Sequence, residues 1–77
     1  MNENQQIIYM QARLVRLASE EWNIPIKAVA SIFTEFKVFQ FIRECFGIFH
    51  IEGDYAVFED ITGYLNNKGA VFDAGVN

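Results

Sequence analysis

The 77-residue sequence contains one cysteine, one proline, one histidine and only six basic residues. Its single cysteine, Cys45, excludes the internal disulfides on which small secreted domains usually depend. No uncharged apolar run approaches the roughly 20 residues that cross a bilayer, and the first residues lack the positive charge and apolar stretch of a signal peptide. These features predict a cytoplasmic protein with no membrane association.

The residue types that carry catalysis are equally scarce. His50 has acidic neighbours but no evident nucleophile, and one histidine with one cysteine falls short of the roughly four ligands of a structural zinc site. Cys45 lies within an apolar stripe, where cysteine behaves as a small hydrophobic residue. No Gly-Lys-Ser/Thr phosphate loop occurs. We expect no enzyme activity, no cofactor and no metal; an enzyme built around His50 is the weakest of three hypotheses.

Charge limits the class of partner. Ten acidic residues against six basic ones give a formal net charge of −4. Nucleic acid binding draws most of its affinity from lysine and arginine, which here are scattered singly along the chain. An acidic surface favours a basic protein partner over nucleic acid or an anionic membrane.

Apolar residues are abundant. They make up 52% of the chain and include eight phenylalanines, which excludes disorder. A core this small is not expected to bury all of the aromatic side chains. We therefore expect an aromatic-rich face that contacts a protein partner or a second copy, as in a homodimer.

Hydrophobic periodicity predicts an all-α domain of four helices, at about 4–22, 25–36, 37–49 and 58–68. Gln11 falls inside the apolar arc of the first helix and is expected to be a satisfied core amide. Pro25 is placed at the first position of the second helix. The pattern slips in phase near Lys37, which favours a break there, although one continuous helix is an alternative. The domain is expected to span 1–69, with a frayed tail at 70–77.

A tight turn or short hairpin-like segment is expected before the last helix. Gly53 can adopt positive φ in the turn at 52–54, and the stretch 55–58 is expected to be extended and to pair with 49–51. Glu59 and Asp60 would then lie at the positive end of the last helix dipole, and Gly69 would cap its other end.

Two sets of candidate site residues lie around this turn. His50, Gly53 and Asp60 are expected to be structural, with the imidazole capping the third helix or bonding turn backbone. The expected partner contacts are Glu52, Asp54, Tyr55 and Glu59. The alternative is that Glu59 and Asp60 only cap the last helix, while Glu52 and Asp54 are solvated.

Several short motifs follow one another along the chain: Asn23-Ile24, Ile32-Phe33, a hydrophobic-His-x-x-Gly sequence at 49–53, Asp60-Ile61 and Tyr64-Leu65. Their order resembles a bacterial domain-of-unknown-function family, numbered thirty-seven ninety-one. Two residues depart from the family pattern: Phe49 lies where leucine is usual, and Pro25 lies where a polar cap is usual. The resemblance implies no assigned activity. It implies an accessory or antitoxin-like partner of a neighbouring ADP-ribosyltransferase-like protein.

The leading hypothesis is therefore a non-catalytic protein-interaction domain. The alternative is a DNA-binding regulator of helix-turn-helix or winged-helix type, built on the second and third helices with the hairpin as wing. The outward face of that recognition helix would show Gln40, Arg43 and Glu44, and the carboxylate would repel phosphate.

Overall fold

The computed structural model of the protein describes residues 1–70, and within this range the chain forms five helices and no strand. They are α1 (Glu3–Trp22), α2 (Ile26–Glu35), α3 (Val38–Glu44), α4 (Phe46–Glu52) and α5 (Asp54–Asn67). The all-α prediction is confirmed, but the expectation of four helices is wrong by one. The predicted tail lies outside the described residues from position 71 onward.

Helix α1 begins and ends at polar caps. The Asn2 side chain accepts from the Gln5 N–H at 2.8 Å, and the Gln5 side chain accepts from the Asn2 N–H at 3.2 Å. This reciprocal capping box satisfies two of the otherwise unpaired amides of the first turn. At the other end Asn23 takes the left-handed conformation, with φ 57°, which asparagine tolerates better than most residues.

Pro25 precedes α2 rather than forming its first residue, so this part of the sequence prediction is wrong. Its ψ of 151° is extended, and its carbonyl accepts from Ala28 and Val29 at 3.0 and 3.1 Å. Proline therefore acts as the N-cap, where its lack of an N–H costs nothing. The Ser19 hydroxyl donates to the Ile24 carbonyl at 2.6 Å and fixes the approach to this cap.

A break at Lys37 separates α2 from α3, as the phase slip predicts. Lys37 adopts φ 60° and ψ 35° without any glycine in the join. The single helix predicted over 37–49 is wrong, because Cys45 leaves helical geometry at φ −100° and ψ 10° and divides α3 from α4. The Cys45 carbonyl still accepts from Ile48 and Phe49. The apolar period therefore continues across the kink and gives no sign of it.

The hairpin-like segment is also contradicted. Helix α4 continues through 49–51 to Glu52, and α5 begins immediately after Gly53. Gly53 alone makes the turn, with the positive φ (97°) that the turn sequence predicts. The stretch 55–58 is helical because Val57, Ile61 and Leu65 form one buried stripe at helical spacing. Glu59 and Asp60 consequently lie in the second turn of α5, not at its positive end.

The core is a single apolar cluster shared by all five helices. Phe33 lies inside it with no exposed surface, 6.3 Å from the Trp22 ring and 5.5 Å from the Phe39 ring in edge-to-face geometry. Gln11 donates to the Phe39 carbonyl at 2.9 Å, which confirms that it is a satisfied amide. The buried members are Ile7, Met10, Leu14, Val15, Leu17, Ala18, Trp22, Val29, Phe33, Val38, Ile42, Phe46, Phe49, Val57, Ile61 and Leu65.

The expectation that so small a core leaves aromatic side chains exposed holds for Tyr9 and Tyr55, but not for phenylalanine within the described residues. All seven phenylalanines in 1–70 are buried or half-buried, and several of them pack on other rings, as Phe33 and Phe58 do on Trp22 and Phe41 does on Phe49. The large apolar side chains that do reach the surface are different ones: Met1, Ile8, Tyr9, Ile26, Ile48, Ile51 and Tyr55. The most exposed large apolar side chains are therefore isoleucine, tyrosine and methionine rather than phenylalanine.

Candidate interaction surface

A groove between α3, α4 and α5 has an apolar floor and a volume of about 560 Å³. Phe41, Phe49 and Tyr64 form the floor with Cys45. The Phe41 ring stacks on Tyr64 with centroids 4.2 Å apart and meets Phe49 edge-on at 5.4 Å. These are favourable aromatic geometries, so the floor exists before any partner arrives.

A hydrogen bond from outside the groove holds the floor in place. The Tyr64 hydroxyl donates to the Phe36 carbonyl at 2.8 Å, which ties α5 to the end of α2 across 28 residues of sequence. Lys68 lies beyond the groove, with Nζ 5.4 Å from the Tyr64 ring centroid. A floor fixed in this way loses little conformational freedom on binding.

Three carboxylates form the rim of the groove. Glu52 comes from the end of α4, and Glu59 and Asp60 come from α5. A side-chain hydrogen bond with Asp60 raises the pKa of Glu52, and desolvation and the charge of Asp60 raise it further. Neither lysine nor arginine lines the groove within the described residues. A cation supplied from outside would relieve the repulsion that the pair experiences when ionised.

Exposed isoleucines extend the apolar surface beyond the groove. Ile48 lines the groove and is 64% exposed, and Ile51, three residues later on α4, is 76% exposed. Residues three apart share a helix face. The groove and this face together form a continuous apolar strip bordered by the acidic rim, which we call the acidic-rimmed groove.

Cys45 is not suited to nucleophilic chemistry at this position. Burial raises the pKa of its thiol, and the neighbouring carboxylates of Glu44, Asp60 and Glu52 raise it further. Because the thiolate is the reactive form, the group remains a protonated thiol at neutral pH. Its place in the floor is that of a half-buried apolar side chain.

The sequence-predicted partner contacts do not all meet. Glu52 and Glu59 lie together on the rim, and Asp60, predicted to be structural, joins them there. Asp54 lies elsewhere: Arg13 binds it in a two-point ion pair, Nε to Oδ2 at 2.9 Å and Nη2 to Oδ1 at 3.2 Å. This pair ties α1 to the start of α5. Tyr55 is exposed in the first turn of α5.

His50 lies in the last turn of α4 and bonds to backbone. Its Nδ1 is 2.9 Å from the Phe46 carbonyl, and its ring stacks on the Phe46 ring at 5.2 Å. Phe46 lies one turn earlier in the same helix, so this bond neither caps the C-terminal end of α4 nor reaches the turn at Gly53. The expected structural role of His50 stays a prediction. In residues 1–70 no group of three or more His, Cys, Asp or Glu side chains could hold a metal ion.

Sequence reasoning missed the floor of the groove. The apolar period of the sequence places Phe41 and Tyr64 on buried helix stripes and Ile48 beside such a stripe, and it gives no sign of the kink at Cys45 that separates α3 from α4. One feature of the sequence does indicate an exposed apolar residue near the groove. Ile51 lies outside the helical stripe, in a segment that the sequence predicts to leave the helix.

The family is identified by a sequence model. The model described as "Protein of unknown function (DUF3791)" matches residues 9–68, which includes every residue of the acidic-rimmed groove. The chain belongs to the DUF3791 family. This confirms the resemblance to that family.

Comparisons with curated proteins and with solved structures found no match for the chain.

The helices were also compared with the length and hydrophobicity that a membrane-spanning helix needs. None of those within residues 1–70 has the length and apolar content to cross a bilayer.

Proposed function

We propose that this DUF3791 domain is a non-catalytic protein-interaction domain that binds a basic segment of a protein partner in the acidic-rimmed groove. The observation that carries the proposal is the combination of an apolar, ring-packed floor with three rim carboxylates and the exposed Ile48 and Ile51. Apolar patches bordered by polar groups typically mark sites of protein association.

The two parts of the surface have different roles in binding. Apolar contact with Phe41, Ile48 and Tyr64 supplies most of the affinity, because it removes hydrophobic surface from water. The rim carboxylates attract a basic partner, raise its association rate and set its orientation. A cation of the partner placed between Glu52 and Asp60 would relieve the repulsion between these two carboxylates.

The family resemblance indicates which partner to test first. It implies an accessory or antitoxin-like protein that acts on a neighbouring ADP-ribosyltransferase-like protein, and binding and neutralising such a protein requires a surface rather than an active site. The raised pKa of the Cys45 thiol and the backbone-bonded ring of His50 are consistent with a non-catalytic role.

No observation favours the DNA-binding alternative. Its wing was the hairpin, and residues 1–70 contain no strand. Its recognition helix would be α3, which has seven residues, and there Gln40 donates to Glu44 at 3.0 Å on the exposed face. A carboxylate in that position opposes contact with phosphate.

The proposal predicts that Ile48→Asp abolishes most binding to the protein encoded by the neighbouring gene. We expect the dissociation constant to rise by roughly 30-fold or more, because a charge on the apolar strip costs about 2 kcal/mol or more at a buried contact. Ile26→Asp is the matched control: Ile26 is also exposed, but it lies at the start of α2, outside the groove. Isothermal titration calorimetry measures both.

Charge reversal of Glu52 and Glu59 tests the role of the rim in the same experiment. Association with the partner is expected to slow at low salt and to lose part of its salt dependence, while the melting temperature changes little. Asp54 is left untouched because its ion pair with Arg13 is structural. Equal losses for Ile48→Asp and Ile26→Asp, or none for either, would contradict the proposed docking surface.

A further inference from the structure

Helix α1 presents a second unpartnered surface, opposite in charge to the groove. Tyr9, Ala12, Arg13 and Arg16 are all exposed and border one shallow depression along α1. Their spacing of i, i+3, i+4 and i+7 places them on one face of the helix. The opposite face, which includes Met10, Leu14 and Leu17, is buried in the core. We call the exposed set the α1 face.

The α1 face has the composition that the acidic-rimmed groove would accept. Tyr9 is 56% exposed and offers an apolar ring, and Ala12 leaves room for close approach. Arg16 makes no hydrogen bond or ion pair with any described residue. Arg13 is engaged by Asp54, so Arg16 supplies the available positive charge.

The geometry points to a second copy of this chain as an occupant of the groove: we infer that the α1 face of one copy binds in the acidic-rimmed groove of another. Amphipathic helices commonly bind apolar grooves through anchors at i, i+3, i+4 and i+7. Tyr9 would lie on the Phe41 and Tyr64 rings, and Arg16 would meet the Glu52–Asp60 pair. This inference shares one premise with the proposed function, namely that the acidic-rimmed groove is a docking surface.

Such a contact is head-to-tail, and this determines how the assembly grows. The groove and the α1 face share no residue, so each copy can use both at once. Contacts between two different surfaces grow into open chains or close into rings, of which a reciprocal pair of copies is the smallest. A second copy would also compete with a foreign partner for the groove, so self-association would lower the amount of groove available.

Sedimentation equilibrium tests the inference with two single variants and their mixture. The wild-type chain is expected to exceed the 8.9 kDa monomer mass at high micromolar concentration, and to approach it as salt rises. Arg16→Ala removes the available charge of the α1 face and Glu52→Lys reverses a charge of the groove, and each is expected to weaken self-association roughly tenfold. A neutral residue at position 16 cannot pair with a lysine at position 52. Mixed together, the two variants are expected to form a 1:1 dimer that grows no further, since the mixture holds one intact groove and one intact α1 face per pair.

Controls separate this contact from a general charge effect. Glu35→Lys makes the same change in net charge as Glu52→Lys at an exposed residue outside the groove, and it should self-associate like the wild type. Circular dichroism melts of all variants establish that each is folded. A wild-type chain that stays at the monomer mass at millimolar concentration would overturn the inference, and so would a mixture that shows no dimer.

The outcomes also distinguish this inference from the proposed function. If the chain is monomeric but Ile48→Asp still abolishes binding of the neighbour-encoded protein, the groove serves a foreign partner only and the self-contact is wrong. If the mixture restores the dimer while Ile48→Asp spares that binding, the self-contact stands and the proposed function fails.

Discussion

Replacing Phe33 with alanine is expected to lower the free energy of unfolding by about 3–5 kcal/mol, the usual cost of removing a buried aromatic ring. Phe33 has no exposed surface and contacts the Trp22 and Phe39 rings from α1 and α3. The whole domain is expected to be stable by only about 4–12 kcal/mol at its size. The change therefore removes a large part of the total stability, which urea denaturation followed by Trp22 fluorescence measures.

Two further variants keep this test informative. Phe33→Leu retains part of the side-chain volume, and its free energy of unfolding is expected to fall less than that of the alanine variant. It provides a measurable value if the alanine variant does not fold. Tyr9→Ala removes an exposed ring and is expected to change stability by about 0.5 kcal/mol or less. A loss below about 1 kcal/mol for Phe33→Ala would mean that the core is not centred on this ring.

The second large effect is expected at Gly53, the single residue that turns α4 into α5. Its φ of 97° and ψ of 154° lie in a region that is essentially restricted to glycine. Gly53→Ala is expected to cost about 1–3 kcal/mol through backbone strain alone, because a Cβ there would have open space around it. Gly53→Val should cost more, since a β-branched side chain resists positive φ further. Thermal melts measure both.

Gly63 provides the matched control for Gly53. It too has open space where a Cβ would lie, but it is inside α5 with ordinary helical geometry. Gly63→Ala is therefore expected to stabilise the protein by up to about 1 kcal/mol. If both substitutions shifted the melting temperature in the same direction, backbone conformation would not be the reason that glycine occupies position 53.

Periodicity predicted the long helix well because the pattern there is long and consistent. Ile7, Met10, Leu14 and Leu17 fall on one arc in the sequence and are buried together in α1. The break at Lys37 was also visible, as a slip in phase between two apolar stripes. Both features depend on residues that are close together in the sequence, so the hydrophobic pattern is enough to predict them.

The errors lie where tertiary packing overrides local preference. The stretch 55–58 contains aromatic and β-branched residues, which favour a strand, yet burial of Val57 with Ile61 and Leu65 makes it helical. The kink at Cys45 leaves the apolar period intact and so gives no signal in the sequence.

The candidate site was predictable only in part. The acidic residues around Gly53 stand out in the sequence, and two of the proposed contacts, Glu52 and Glu59, do reach the rim. The Arg13–Asp54 ion pair joins residues 41 positions apart, so no local pattern could show that Asp54 was already engaged. The exposure of Ile48 likewise depends on how α4 lies against its neighbours.

The central claim is that the acidic-rimmed groove is the docking surface, and a backbone amide chemical-shift titration tests it most directly. The ¹⁵N-labelled wild-type chain is titrated with the unlabelled protein encoded by the neighbouring gene. The account predicts that the largest shifts cluster at Phe41, Ile48, Gly63 and Tyr64, which come from three helices and meet only in the groove. Shifts confined to the surface around Ile8 and Ile26, or no shifts at saturating concentration, would contradict it.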